Sequence, residues 1–111
     1  MSSITWSDFE KIEIRAGTII DVSDFPEARN PSYKLTIDFG EMGIKKSAAQ
    51  ITKLYSKEEL LNKQIIAVVN FPPKQIANFF SECLVLGVYC ENKEVILLQP
   101  ERKVSNGEKI G

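Results

Sequence analysis

Apolar and polar residues take turns along much of the first half of the chain. Residues 12 to 22, IEIRAGTIIDV, place Ile12, Ile14, Ala16, Ile20 and Val22 on one side of a strand and Glu13, Arg15 and Asp21 on the other. Period two of this kind predicts a long half-buried β-strand, with Gly17 as a bend or bulge within it. FPEARNP then marks a loop, and YKLTIDF alternates cleanly, with Tyr33, Leu35, Ile37 and Phe39 against Lys34, Thr36 and Asp38. Gly40-Glu-Met-Gly43 reads as a short hairpin connection into a third strand near 44 to 49. In ITKLYSKEELLNK, Ser56 precedes Glu59 by three positions, a capping-box pattern that predicts one short helix.

The second half loses the alternation. QIIAVVN and ECLVLGVYC are continuous apolar runs of strand length, expected as central strands covered on both sides. A last strand at about 94 to 98 ends at Pro100, followed by a polar tail. Five strands, a bent first strand and a helix between the third and fourth describe an all-β fold with short helices, an OB-fold barrel. Another small barrel or a sandwich fits the same periodicity.

Between the two apolar runs stands NFPPKQIANFF, residues 70 to 80, which carries three of the six phenylalanines beside Lys74. Its prolines stop the preceding strand, and the stretch is expected as an irregular connection. Phe71, Phe79 and Phe80 either plug the open end of the barrel or reach the surface, where an aromatic beside lysine stacks on a base or receives an apolar side chain. Adjacent Phe79 and Phe80 point apart, so at least one is expected outside.

At 111 residues the chain is long enough for one domain and too short for two. No window reaches the ~20 apolar residues of a membrane span, and the first residues lack the basic and apolar regions of a signal peptide. No membrane insertion and a cytoplasmic location are expected. Histidine is absent, which removes the usual general base and the commonest transition-metal ligand. Cys83 and Cys90, seven positions apart, match no redox or metal spacing and are expected as small buried thiols. No phosphate loop is present, and Glu58-Glu59 reads as dipole-favouring acids in a first helical turn. Catalytic residues, metal ligands and cofactors are therefore all expected to be none.

Net charge is −1, but unevenly spread. Residues 1 to 42 carry four Lys/Arg against eight Asp/Glu, residues 43 to 80 six lysines against two glutamates, and residues 81 to 111 four against five. The positive middle third includes Lys45, Lys46 and Lys74, close to where an OB-fold holds its ligands. A merely solvated surface accounts for scattered lysines equally well.

The segments FEKIEIRAGTI, FPEARNPSYKLTIDFG, GIKKSAAQIT, NKQIIAVVNFPPKQIA, SECLVLG and VILLQP, in this order, resemble the tRNA-binding domain family, and within it the branch of small secretion-related chaperones. The resemblance covers nearly the whole chain, and NFPP followed by SE-x-LVLG is its most specific part. It implies a single OB-fold domain over residues 1 to 111, with a core of about 9 to 100 and terminal extensions that build a homodimer. It implies a non-enzymatic protein that binds unfolded or export-bound polypeptides near the Sec translocation machinery, while relatives bind tRNA by shape. The groove implied by motif position comprises Arg15, Lys34, Lys45, Ser47, Gln50, Asn70, Phe71, Pro72, Lys74 and Ser81, and the aromatic argument adds Phe80. Relatives often carry a second basic residue after Lys74; this chain has Gln75.

Overall fold

A computed structural model describes all 111 residues. Its order is α1 (Trp6–Glu10), β1 (Ile14–Asp24), β2 (Tyr33–Asp38), β3 (Ile44–Ala49), α2 (Lys57–Leu60), β4 (Gln64–Val68), β5 (Lys74–Ile76), β6 (Phe79–Ser81), β7 (Leu84–Val85), β8 (Gly87–Tyr89) and β9 (Val95–Leu97). A five-stranded sheet, in the order β3-β2-β1-β4-β7, curls into a nearly closed barrel, and two short hairpins, β5–β6 and β8–β9, stand beside it. This is the expected OB-type architecture.

The alternation of β2 survives intact: Leu35, Ile37 and Phe39 are fully buried and pack with Ile19, Leu60, Ile65 and Ala67. The predicted capping box is present, with Ser56 Oγ accepting from the Glu59 N–H at 3.2 Å and Glu59 Oε1 accepting from the Ser56 N–H at 2.9 Å. It starts a single helical turn that seats Leu60 in the core.

β1 departs from the expected pattern. Its register to β2 slips between Ile19 and Asp21, which makes Ile20 the bulge and sends it outward, while Gly17, Ile19 and then Val22 face the barrel interior. A single alternating face through Ile12 and Ile20 is therefore corrected, because one bulged residue swaps the two sides of a strand. Gly17 is not the bulge. A Cβ there would stand 2.6 Å from Phe39 and 2.8 Å from Ile37, so the glycine admits two core side chains against the backbone.

The run 82 to 90 is also corrected. It breaks into β7, which pairs with β4 through only two residues, and β8, which leaves the barrel to pair with β9. Leu84, Val88 and Tyr89 are exposed, so this is not a strand covered on both sides, and Cys90 is exposed while Cys83 is buried. The polar tail returns to the barrel and adds to the free flank of β1: the Ala16 N–H donates to Glu108 O, the Gly107 N–H to Ala16 O, and the Ile110 N–H to Ile14 O. Gln64 holds it, donating to Val104 O at 2.7 Å and accepting from the Val104 N–H at 3.0 Å.

Barrel closure falls between β3 and residues 81 to 83. Only one backbone bond spans it there, from the Glu82 N–H to Lys46 O at 2.7 Å. Side chains supply the rest: Glu82 Oε1 accepts from the Lys46 N–H, Ser81 Oγ accepts from the Ala48 N–H, and Ser47 Oγ donates to Cys83 O.

Candidate functional site

The stretch 70 to 80, expected as irregular throughout, runs into an ordered β-hairpin that spans residues 74 to 81, and this corrects the reading from the prolines. Asn70 ends the preceding strand by reaching back: its Oδ1 accepts from the Glu13 N–H at 3.0 Å and its Nδ2 donates to Lys11 O at 2.7 Å. Pro72 and Pro73 lack the N–H a ladder needs, so pairing resumes only at Lys74. From there Lys74 pairs with Ser81, Gln75 with Phe80 and Ile76 with Phe79. The two-residue turn at Ala77-Asn78 holds Ala77 at φ +53°, where Gln75 Nε2 donates to its carbonyl at 3.0 Å.

Alternation gives the hairpin two chemically different faces. Lys74, Ile76, Phe79 and Ser81 share the face turned to the barrel, where Ser81 reaches the edge of β3. Phe79 meets buried Phe25 edge to face at 5.4 Å between ring centroids. The Lys34 ammonium stands 5.4 Å from the Phe25 ring centroid and 5.9 Å from that of Phe79, within range of a cation–π contact to each. Gln75 and Phe80 occupy the opposite face. Phe80 and Phe71 are each 54% exposed.

The positive middle third is likewise sorted. Lys53 donates to Asn92 O, Lys57 pairs with Asp24 at 2.8 Å, and Lys63 lies over the Tyr55 ring, all engaged elsewhere. The hydrogen bond and charge of Asp24 push the Lys57 pKa up from its ordinary value. Lys45 and Lys46 remain on β3, beside the segment that carries β6, with Lys34 on β2 and Lys74 on β5. Cys83 is itself part of the core, and burial pushes its thiol pKa up to about 12, leaving it a neutral packing group.

Of the residues implied by motif position, Lys74 and Ser81 fall on the hairpin, as does Phe80 from the aromatic argument; Lys34 lies on β2 beneath it, Phe71 and Pro72 lie in the segment leading into it, and Lys45 lies half-buried on β3 with exposed Gln50 just beyond that strand. Ser47 offers a ligand no surface: it is 1% exposed and spends its hydroxyl on Cys83 O. Arg15 belongs to a different region, donating to Gly107 O at 3.1 Å and to Glu13 Oε1 at 2.7 Å beneath the tail. The Asn70 amide is already committed to the N-terminal segment. Phe25 and Glu82 were missed, and Phe79 was singled out with both of its roles left open. The two-residue spacing of Phe79 and Ser81 would have flagged the first face, but only once Ala77-Asn78 was read as a turn.

No group of three His, Cys, Asp or Glu side chains is placed to hold a metal, and no helix is long and apolar enough to cross a membrane. The barrel is consistent with the sequence-family comparison: residues 14–109 match the tRNA binding domain, and the chain belongs to that family. Within it, the chain is similar over its full length to solved chaperones named CsaA. The Bacillus anthracis CsaA is 50% identical, with a TM-score of 0.95 over 99% of this chain and 100% of that one. The Picrophilus torridus CsaA is 58% identical, with a TM-score of 0.92 over 98% and 100%. The chain is also 34% identical over 110 residues to the methionine–tRNA ligase of Pyrococcus horikoshii, but it spans only 15% of that ligase's length.

Proposed function

We propose that this protein is a CsaA-like chaperone that binds unfolded or export-bound polypeptides, without enzymatic turnover. The observation that carries the reading is the pair of half-exposed aromatics, Phe80 on the short hairpin and Phe71 in the segment that leads into it, while the hairpin's own packing uses a different ring, Phe79. Large apolar side chains kept at the surface by an ordered scaffold are suited to take up apolar segments of another chain. Full-length likeness to two chaperones supports the same reading. Its place is the cytoplasm, upstream of the Sec translocation machinery.

A second reading, shape-specific tRNA binding without a chaperone role, is favoured by the family match and by the lysines on β2, β3 and β5. Salt dependence separates the two. Each phosphate neutralised contributes a slope of about −0.9 in log affinity against log salt, whereas apolar contact changes little. Titration of labelled tRNA and of a labelled unfolded preprotein at two salt concentrations is expected to give weak, salt-sensitive tRNA binding and salt-tolerant polypeptide binding. Tight tRNA binding with no polypeptide binding would replace the first reading by the second.

We also assign a homodimer to the working form. Ile4 and Trp6 are each 71% exposed and Tyr89 90% exposed, with Val88 and Ile96 beside it on β8–β9. Surface of this kind on terminal extensions and an outlying hairpin suits burial against a second copy. Light scattering at micromolar concentration that returned a monomer would remove this assignment.

A further inference from the structure

The hairpin β5–β6 has a second feature besides its aromatics. β5 is an edge strand, paired with β6 alone. Ile76 and Phe79 flank the two-residue turn and so form a hydrogen-bonded pair, which makes Gln75 and Phe80 the non-hydrogen-bonded pair next along the ladder. The N–H and C=O of Gln75 accordingly point away from β6, toward solvent. On the same outer face its side-chain amide is folded back onto Ala77 O, next to exposed Phe80.

That face carries no ion. Lys74, the one charged residue between 70 and 80, alternates onto the barrel side with Phe79, where Lys34 also lies. A charged ligand group set on the outer face would give up hydration and find no counter-ion. An apolar side chain would lose nothing there and would cover Phe80. An open strand edge in addition offers main-chain bonds that any extended sequence can make, while the ring beside it selects side chains.

The geometry points to strand addition as the way this protein holds its ligand: an extended, uncharged apolar segment of an unfolded polypeptide docks along β5, bonds to Gln75, and packs on Phe80 from outside the barrel. This rests on the polypeptide-binding reading above and specifies its site and chemistry. The cationic surface of β2 and β3 lies on the other side of the hairpin and takes no part.

The test uses short labelled peptides in fluorescence anisotropy. One is built of Leu, Val, Ser and Asn; in another, two of the Leu residues are replaced by Glu. Each is titrated with the parent, with Phe80→Ser and with Gln75→Pro. Proline at an outward N–H on an edge strand is compatible with the hairpin but blocks strand addition, and Tm of each variant checks the fold. The uncharged peptide is expected to bind the parent with little salt dependence and to lose about tenfold or more in each variant. The Glu-bearing peptide is expected to bind the parent at least tenfold more weakly. If the parent binds the uncharged peptide but both folded variants bind it equally well, or if the Glu-bearing peptide binds as tightly, strand addition on β5 is overturned while polypeptide binding stands. If Gln75→Pro melts early, Phe80→Ser and the peptide pair still decide. Absence of binding to any unfolded chain by the parent overturns the underlying reading itself.

Discussion

Phe79 and Phe80 are neighbours in sequence with opposite structural roles, and truncating each to alanine should show it. A fully buried phenylalanine costs ~3–5 kcal/mol on truncation. Phe80 is 54% exposed and so has less than half of that to lose, about 1.4–2.3 kcal/mol. Phe79 is partly buried and also gives up two specific contacts. The edge-to-face pair with Phe25 contributes ~0.5–1.5 kcal/mol, and the Lys34 ammonium above the rings ~0.5–1 kcal/mol. With the apolar area lost, Phe79→Ala should cost roughly 2.5–4 kcal/mol. At about 4 °C per kcal/mol for a domain of this size, thermal denaturation followed by circular dichroism should place Phe79→Ala some 10–16 °C below the parent and Phe80→Ala within ~9 °C of it. A cycle with Lys34→Met should return a coupling of about 0.5–1 kcal/mol with Phe79 and none with Phe80. Equal losses for the two alanine variants, or a larger loss for Phe80, would refute the assignment of one ring to the scaffold and the other to the ligand.

Further outcomes follow from the same structure. Gly17→Ala should lower Tm by about 5 °C and by no more than ~10 °C, since a Cβ 2.6 Å from Phe39 overpacks the core by ~1–3 kcal/mol, reduced by the ~0.4–1 kcal/mol that alanine takes from the unfolded chain; a variant melting at or above the parent would show that the core yields freely there. A thiol-specific reagent at neutral pH should label Cys90 quickly and Cys83 only after denaturation, because Cys83 is buried with its pKa raised to about 12. The raised value stabilises the fold fully below the ordinary thiol pKa of 9.0, and that contribution should fade as pH climbs toward 12, a loss absent in Cys83→Ala. Glu59 has its pKa lowered first of all by the hydrogen bond from the Ser56 N–H, so the cap contributes above pH 4.5 and weakens as pH falls through the folded value. Urea midpoints of Glu59→Gln, which keeps the cap geometry, should depend less on pH in that acid range than those of the parent.

What the sequence disclosed followed from how local each cause is. The β2 alternation, the Gly40–Gly43 connection and the Ser56/Glu59 cap are decided within a few residues, and all three stand in the structure. The bulge at Ile20 depends on the register of β1 against β2, which no single strand displays. Composition alone does not reveal that ECLVLGVYC is split by the departure of β8 toward β9, because an apolar run reads alike in a core and on an uncovered hairpin. The two prolines correctly ended β4 but concealed the hairpin after them, whose turn rests on Ala77 at positive φ, a position where glycine would have been the visible signal. Within the implied groove, motif position led to the hairpin and its approach, whereas it could not show that the polar groups of Ser47, Arg15 and Asn70 are bonded to backbone partners distant in sequence.

The central claim is that the exposed rings of residues 70 to 80 hold unfolded polypeptide. The most direct measurement is the affinity of a labelled, urea-unfolded preprotein, diluted into buffer, for the parent and for a Phe71→Ser/Phe80→Ser double variant whose melting temperature lies within a few degrees of the parent. The parent is expected to bind, and the double variant to lose at least about tenfold in affinity, ~1.4 kcal/mol. A folded double variant that binds the preprotein as tightly as the parent would contradict that claim.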